Sequence, residues 1–157
     1  MAHPVDYKIV VPSRHLLHPG SFLKKFQFAN DHERQYLKHL AKLASDNNVR
    51  IHLLTDVNNI PVGLIALSFT TVCSSICMAV NYLFTSVPYR KIAFDGLGGK
   101  KISEYLIEFS FDSAVEMSLK APIHYLALQP AHEKLEQFYK KLGFTRLHHR
   151  EWMFLKI

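Results

Sequence analysis

Cysteine is scarce in this chain: Cys73 and Cys77 are the only two among 157 residues. Two thiols four positions apart form neither a disulfide framework nor a Cys-x-x-Cys redox pair, and no second pair exists to complete a zinc site. Core or turn thiols are the ordinary reading. Glycine (six) and proline (seven) are also few, which excludes collagen-like and low-complexity chains. No apolar run reaches the roughly 18 residues of a membrane span. The start, Met1-Ala2-His3-Pro4-Val5-Asp6, lacks a basic and then apolar leader. These absences predict a reduced, cytoplasmic protein with no membrane partner and no structural metal. At roughly 150 residues per domain, one domain over 1–157 is expected. Such a chain buries about 68–70% of its unfolded surface without covalent staples.

Acidic charge is in the minority, 13 residues against 19 Lys and Arg, for a formal +6, and ten histidines add to it as pH falls. The surplus suits an anionic partner such as nucleic acid, acidic protein or a phosphorylated ligand. It serves plain solubility equally well.

Strand and helix signals alternate along the chain. Residues 7–11 form a short β-like run closed by Pro12. From Asp31, a candidate cap, Tyr36, Leu37, Leu40, Leu43 and Ala44 recur at three- and four-residue steps, so a helix is predicted there. Residues 50–54, 60–69 and 76–84 read as strands of an antiparallel meander, with turns at 56–59 and 71–75. A long helical pattern follows Ile102 and ends before Pro122. Residues 123–128 read as a strand, 131–141 as a helix with Gly143 as its C′ residue, and 152–157 as a closing strand. The order predicts an α/β or α+β domain.

Two segments carry chemistry. The first is Gly96-Leu97-Gly98-Gly99-Lys100-Lys101-Ile102-Ser103 before the long helix. Glycines let a ligand approach the backbone, and the positive end of a helix favours phosphate. The run matches neither the ATPase phosphate loop nor a dinucleotide fingerprint. A flexible loop with a solvated lysine pair explains it too. The second is the strand His124-Tyr125-Leu126-Ala127-Leu128, followed by Leu135-Glu136-Gln137-Phe138-Tyr139-Lys140-Lys141-Leu142-Gly143-Phe144 and a last strand.

Strand, helix, Phe-Tyr-x-x-x-Gly-Phe, strand resembles the GNAT superfamily of acyl-CoA-dependent N-acetyltransferases. The resemblance covers the second half of the chain; the first half agrees in element order and in the Val62-Gly63-Leu64-Ile65-Ala66 strand. It implies a mixed central sheet of about six to seven strands flanked by helices, with strands 4 and 5 splayed, here residues 76–86 and 123–128. It also implies acetyl-CoA as co-substrate, with the pantetheine arm in the splay and the diphosphate on the loop before the long helix. The sequence departs from the family loop, [Gln/Arg]-x-x-Gly-x-[Gly/Ala], which can be laid on it in two registers. One uses Gly96 and Gly98, with Ala93 at the Gln/Arg position. The other puts Gly98 there, with Lys101 and Ser103 at the small positions and Leu106-Ile107 where the family has paired leucines. The implied coenzyme-binding set is Thr85, Val87, Arg90, Gly98, Gly99, Lys100, Lys101, Ile102, Ser103 and Phe138. Arg90 supplies a cation from an enlarged loop, and a strand amide near Thr85 or Val87 serves the oxyanion.

Tyr139 matches the tyrosine that acts as general acid in many family members. A phenol with an ordinary pKa of about 10 is protonated at pH 7 and able to donate. An aromatic packed beside Phe138 is the bland alternative. His124, Glu104 and Glu108 are weaker candidates for a base. His148-His149-Arg150 alternates across a strand and suits a basic rim better than a metal. His15 and His18 suit a substrate mouth or a plain surface. Lys24-Lys25 between Phe22 and Phe26 suits RNA or an amphipathic helix.

The resemblance therefore implies an acyltransferase moving acetyl from acetyl-CoA to a primary amine of an unidentified acceptor: small molecule, protein or tRNA. Toxin-type members acetylate the amino group of aminoacyl-tRNA, and the basic charge suits that substrate. A non-catalytic acyl-CoA-binding module and a coenzyme-free nucleic-acid-binding domain are the other classes. A homodimer is compatible with the family.

Overall fold

The computed structural model describes residues 8–10, 24–46, 48–146 and 151–157, with side chains from residue 24 onward. The elements are β1 (Lys8–Val10), α1 (Asp31–Ser45), β2 (Arg50–Thr55), β3 (Pro61–Val72), β4 (Ser75–Thr85), β5 (Ala93–Phe94), β6 (Lys100–Lys101), α2 (Ile102–Ser118), β7 (Tyr125–Leu128), α3 (Glu133–Lys141), β8 (Thr145–Arg146) and β9 (Met153–Lys156). Seven strands are hydrogen-bonded in the order β1-β2-β3-β4-β7-β9-β8; β5 and β6 form a separate pair. This is the mixed sheet with flanking helices that was expected. Backbone packing divides the chain into two compact units, Met1–Leu67 with Tyr82–Glu108, and Ser68–Asn81 with Phe109–Ile157.

In the first unit, β2 runs antiparallel to both β1 and β3. Helix α1 begins where Asn30 Oδ1 accepts the Glu33 amide at 3.0 Å, and Glu33 Oε1 accepts the Ala29 amide at 2.7 Å. The cap is thus Asn30, one residue earlier than predicted, because its short amide side chain reaches back to the third helical N–H. Leu37, Leu40, Ala41 and Ala44 follow at helical spacing and are buried with Phe26, Val49, Ile51, Leu64, Ala66 and Phe84. Each leucine so buried contributes about 1.5–3 kcal/mol. Lys24 and Lys25 sit in an exposed turn rather than in an amphipathic helix, one of the two readings of that stretch, and Phe26 beside them is buried in the core.

In the second unit, Cys73 (φ 51°) and Ser74 (φ 68°) occupy the tight turn between β3 and β4. Two left-handed residues make the turn twist that favours a hairpin. Cys77 is buried against Val72, Ala127 and Phe154, and burial raises its thiol pKa. The parallel pairing of β4 with β7 runs from Cys77↔Tyr125 to Val80↔Leu128 and stops there, while β4 continues to Thr85. The pairing takes in the whole of β7, and β4 runs on past it; these are the strands that the resemblance numbers 4 and 5. Strand β7 and helix α3 each begin two residues later than predicted, and β8 was not predicted at all; a two-residue strand carries no readable period. Helix α3 ends in a Schellman turn: the Gly143 amide donates to Lys140 O at 3.0 Å and the Phe144 amide to Tyr139 O at 3.1 Å. Gly143, with φ of 100°, takes the C′ position predicted for it.

Candidate functional site

The Gly96–Lys101 run folds as the hairpin β5-β6, with Ala93 opposite Lys101 and Phe94 opposite Lys100. Gly98 and Gly99 have φ of 69° and 79°. Their amides donate to Asp95 O and Phe94 O at 3.0 and 2.9 Å. Glycine is thus needed there for left-handed backbone, and these two amides are engaged inside the hairpin. No atom stands within 4 Å of a Cβ built on either residue, so the tip is open. Lys101 leads straight into α2, whose first turn, Ile102 to Glu104, presents amides with no partner inside the helix. The amides without an intrahelical partner at this end are those of residues 102–104, through which the second loop register runs and the first does not. Leu106 and Ile107 are both buried.

Two carboxylates of α2 already address this end. Lys100 Nζ pairs with Glu108 Oε2. The Lys101 amide donates to Glu104 Oε1 at 3.4 Å. Glu104 and Glu108, two of the weaker base candidates, thus both contact the hairpin.

Gly63 sets where α2 starts. A Cβ at Gly63 would lie 2.7 Å from Ile102 Cγ2, 3.1 Å from Phe84 O and 3.3 Å from Leu106 Cδ1. The first turn of α2 therefore packs directly on β3, beside the last residues of β4. A lone glycine inside the branched run from Val62 to Ala66 is the sequence signal of such a close approach.

The end of β4 is fixed on one side. The Ser86 amide donates to Val62 O at 2.9 Å. Alternation along an extended strand then aims the Thr85 amide at the opposite edge. Val87 had been offered as a second oxyanion donor, but its amide donates to Gln27 O at 3.0 Å and is taken. Arg90 had been offered as a phosphate cation. It is engaged elsewhere: Nε donates to Thr85 O at 2.7 Å, and Nη2 to both Glu33 oxygens at 2.9 and 3.0 Å.

Phe138 and Tyr139 lie in the second unit. Tyr139 is 6% exposed. Its ring meets Phe138 and Phe144 edge-on, with centroids at 5.2 and 5.8 Å. Burial pushes its phenol pKa up to about 12. Among the described residues none hydrogen-bonds to its hydroxyl. His124 is exposed and its carbonyl accepts the Ile157 amide. Thr85, Val87, Arg90 and residues 98–103 thus share the first unit, while Phe138 and Tyr139 share the second. His15, His18, Phe22 and His148-His149-Arg150 lie outside the described residues. Among the described residues no three His, Cys, Asp or Glu side chains could hold a metal ion, and no helix is long and apolar enough to cross a membrane.

No protein-family model matches the chain, and no curated protein matches its sequence. Solved structures do. AtaTR bound with AcCoA superposes with a TM-score of 0.77 at 18% identity, over 96% of this chain and 93% of that one. AtaT complexed with acetyl-methionyl-tRNAfMet gives 0.76 at 17% identity, over 96% and 95%. A tyrosine-to-phenylalanine mutant of KacT gives 0.75 at 16% identity, again over 96% and 95%. At these identities the likeness establishes the fold, the GNAT fold that the sequence resemblance implied.

Proposed function

We propose that this chain is an N-acetyltransferase that uses acetyl-CoA to acetylate a primary amine. The observation that carries the reading is the end of β4. Its pairing with β7 stops at Val80, and the Thr85 amide points away from β3 on a strand edge that continues to Thr85. An extended amide-bearing arm pairs with such an edge as a strand would. The diphosphate is assigned to the amides of Ile102, Ser103 and Glu104, with Lys101 beside them. Thr85 N–H is the oxyanion donor, a fixed dipole that needs no reorganisation during reaction. Tyr139 gives its proton to the departing thiolate. The amine attacks as the free base, and water removes its proton.

A second reading narrows the acceptor to aminoacyl-tRNA. AtaT, of the same fold, has been solved with acetyl-methionyl-tRNAfMet. This chain carries a formal +6. Arg34, Lys38 and Lys42 follow at four-residue steps on the exposed side of α1, a spacing suited to a phosphate backbone.

Acetyl-CoA at 100 times its dissociation constant should stabilise the protein by about 2.7 kcal/mol. For a chain of this length that raises the melting temperature by roughly 5–11 °C. A shift without acetyl transfer to any amine points to a binding module, and no shift at all overturns the reading. Transfer to aminoacyl-tRNA, absent with small amines and suppressed by salt, would select the second reading.

The carboxylates beside the anion site give a further prediction. Glu104→Gln and Glu108→Gln should each tighten acetyl-CoA by about two- to fivefold, the worth of one exposed charge near a helix end. Titration calorimetry decides; weaker binding in both would move the diphosphate away from α2.

A further inference from the structure

Arg90 makes more contacts than its half-exposed position requires. Its Nε holds the Thr85 carbonyl at 2.7 Å, and its Nη2 spans both oxygens of Glu33 at 2.9 and 3.0 Å. Its guanidinium lies 5.3 Å from the centroid of the Phe84 ring. Glu33 in turn accepts the Ala29 amide while its own amide is capped by Asn30. One side chain thus ties the last residues of β4 to the first turn of α1. A second tie lies next to it: Ser86 Oγ accepts the Gln27 amide at 2.8 Å, and the Val87 amide donates to Gln27 O at 3.0 Å. Lys91 immediately follows with φ of 62°, a left-handed conformation that a non-glycine residue holds only where its surroundings impose it.

In an extended strand the N–H and C=O of one residue point to the same edge. The Arg90 hydrogen bond to Thr85 O therefore holds the Thr85–Ser86 peptide plane, one Cα away from the plane that carries the Thr85 N–H and facing the same edge. The planar fork of arginine can bind a carboxylate and a carbonyl together; an ammonium cannot reproduce that geometry.

We propose that Arg90, held by Glu33, is a positioning residue that fixes the Thr85 backbone for acyl transfer, and that it is not a ligand of the coenzyme phosphates. The inference rests on the acetyltransferase reading above and deepens it at the same strand end. Displacing a reacting group by about an ångström costs on the order of 10²-fold in rate. The pair acts on the chemical step and leaves the diphosphate site at α2 untouched.

The test uses Arg90→Lys, which keeps the charge and loses the fork, beside Arg90→Gln and Glu33→Gln. In the clamp, Arg90→Lys lowers kcat at least tenfold, with KM for acetyl-CoA within about threefold of the parent. Glu33→Gln falls in the same direction, and a double variant loses less than the two single losses multiplied. A normal Arg90→Lys together with an Arg90→Gln that raises only KM for acetyl-CoA would make Arg90 a phosphate cation and overturn the proposal. Amide hydrogen exchange separates this from failure of the acetyltransferase reading. In Arg90→Lys, exchange at Ser86 and Val87, whose amides donate to Val62 O and Gln27 O, should speed at least tenfold while Leu37 and Leu40 in α1 keep parental rates. That result supports the clamp even if the parent transfers no acetyl group. Unchanged exchange at Ser86 and Val87 would end it.

Discussion

Tyr139→Phe should lower the turnover of acetyl transfer by about 10²–10⁴-fold, the usual worth of a positioned general acid, while acetyl-CoA binds within about threefold of the parent. The substitution removes one oxygen and leaves the ring. That ring is held independently of its hydroxyl, edge-on between Phe138 and Phe144 and over a Schellman turn whose two hydrogen bonds are made by backbone. The variant should therefore fold and bind as the parent does. Burial holds the phenol pKa at about 12, above its ordinary value, so the group stays protonated at every pH where the enzyme is handled. Its ionisation should contribute no alkaline fall in rate below about pH 10, some two units under that pKa. Single-turnover kinetics with saturating acetyl-CoA measure the step directly. A variant as fast as the parent would return Tyr139 to a packing role.

Gly63→Val should be the most damaging single change in the first unit. A Cβ there already lies 2.7 Å from a methyl of Ile102, which is 1% exposed, and 3.1 Å from the Phe84 carbonyl, which is backbone. Neither neighbour has room to withdraw. Overpacking of this kind costs about 1–3 kcal/mol, occasionally more. Gly63→Ala should cost less, because it adds one carbon to the contact where valine adds three, and the lost freedom of the unfolded chain offsets roughly 0.5–1 kcal/mol of the clash. The valine should also push the first turn of α2 away from β3 and weaken acetyl-CoA, since the amides assigned to the diphosphate ride on that turn. Urea denaturation and coenzyme titration read the two effects separately. Joined to Ile102→Ala, Gly63→Ala should cost less than it does alone, so the double variant loses less than the two single losses added, because the second change removes the methyl that the first one meets. A valine variant with parental stability and affinity would mean that α2 does not depend on this contact.

Most of the element order was legible because it rests on periodicity. Helix α1 shows its buried face in Leu37, Leu40, Ala41 and Ala44, and the β3-β4 hairpin shows in two branched runs around a short turn. The Phe138-Tyr139 pair and Gly143 were legible for a different reason. A glycine that must take φ of 100° at a helix end, followed by a phenylalanine that packs back, leaves a local signature in the chain. The glycine run signals a loop without announcing its hairpin. Gly98 and Gly99 satisfy a hairpin turn, and local sequence does not say whether a glycine serves a turn or a ligand.

Local chemistry was enough to determine the helices, the strands, the buried stripe of α1 and the turn that closes α3, since each depends on residues within a few positions of one another. Tertiary structure alone decided the partners of Arg90, the occupation of the Val87 amide by Gln27, the pairing of Lys100 with Glu108 and the contact of Gly63 with Ile102. Glu33 stands 57 residues from Arg90, and Gly63 stands 39 before Ile102. Side chains that far apart meet only when the sheet brings them together, and no period or motif in the chain encodes which of them will.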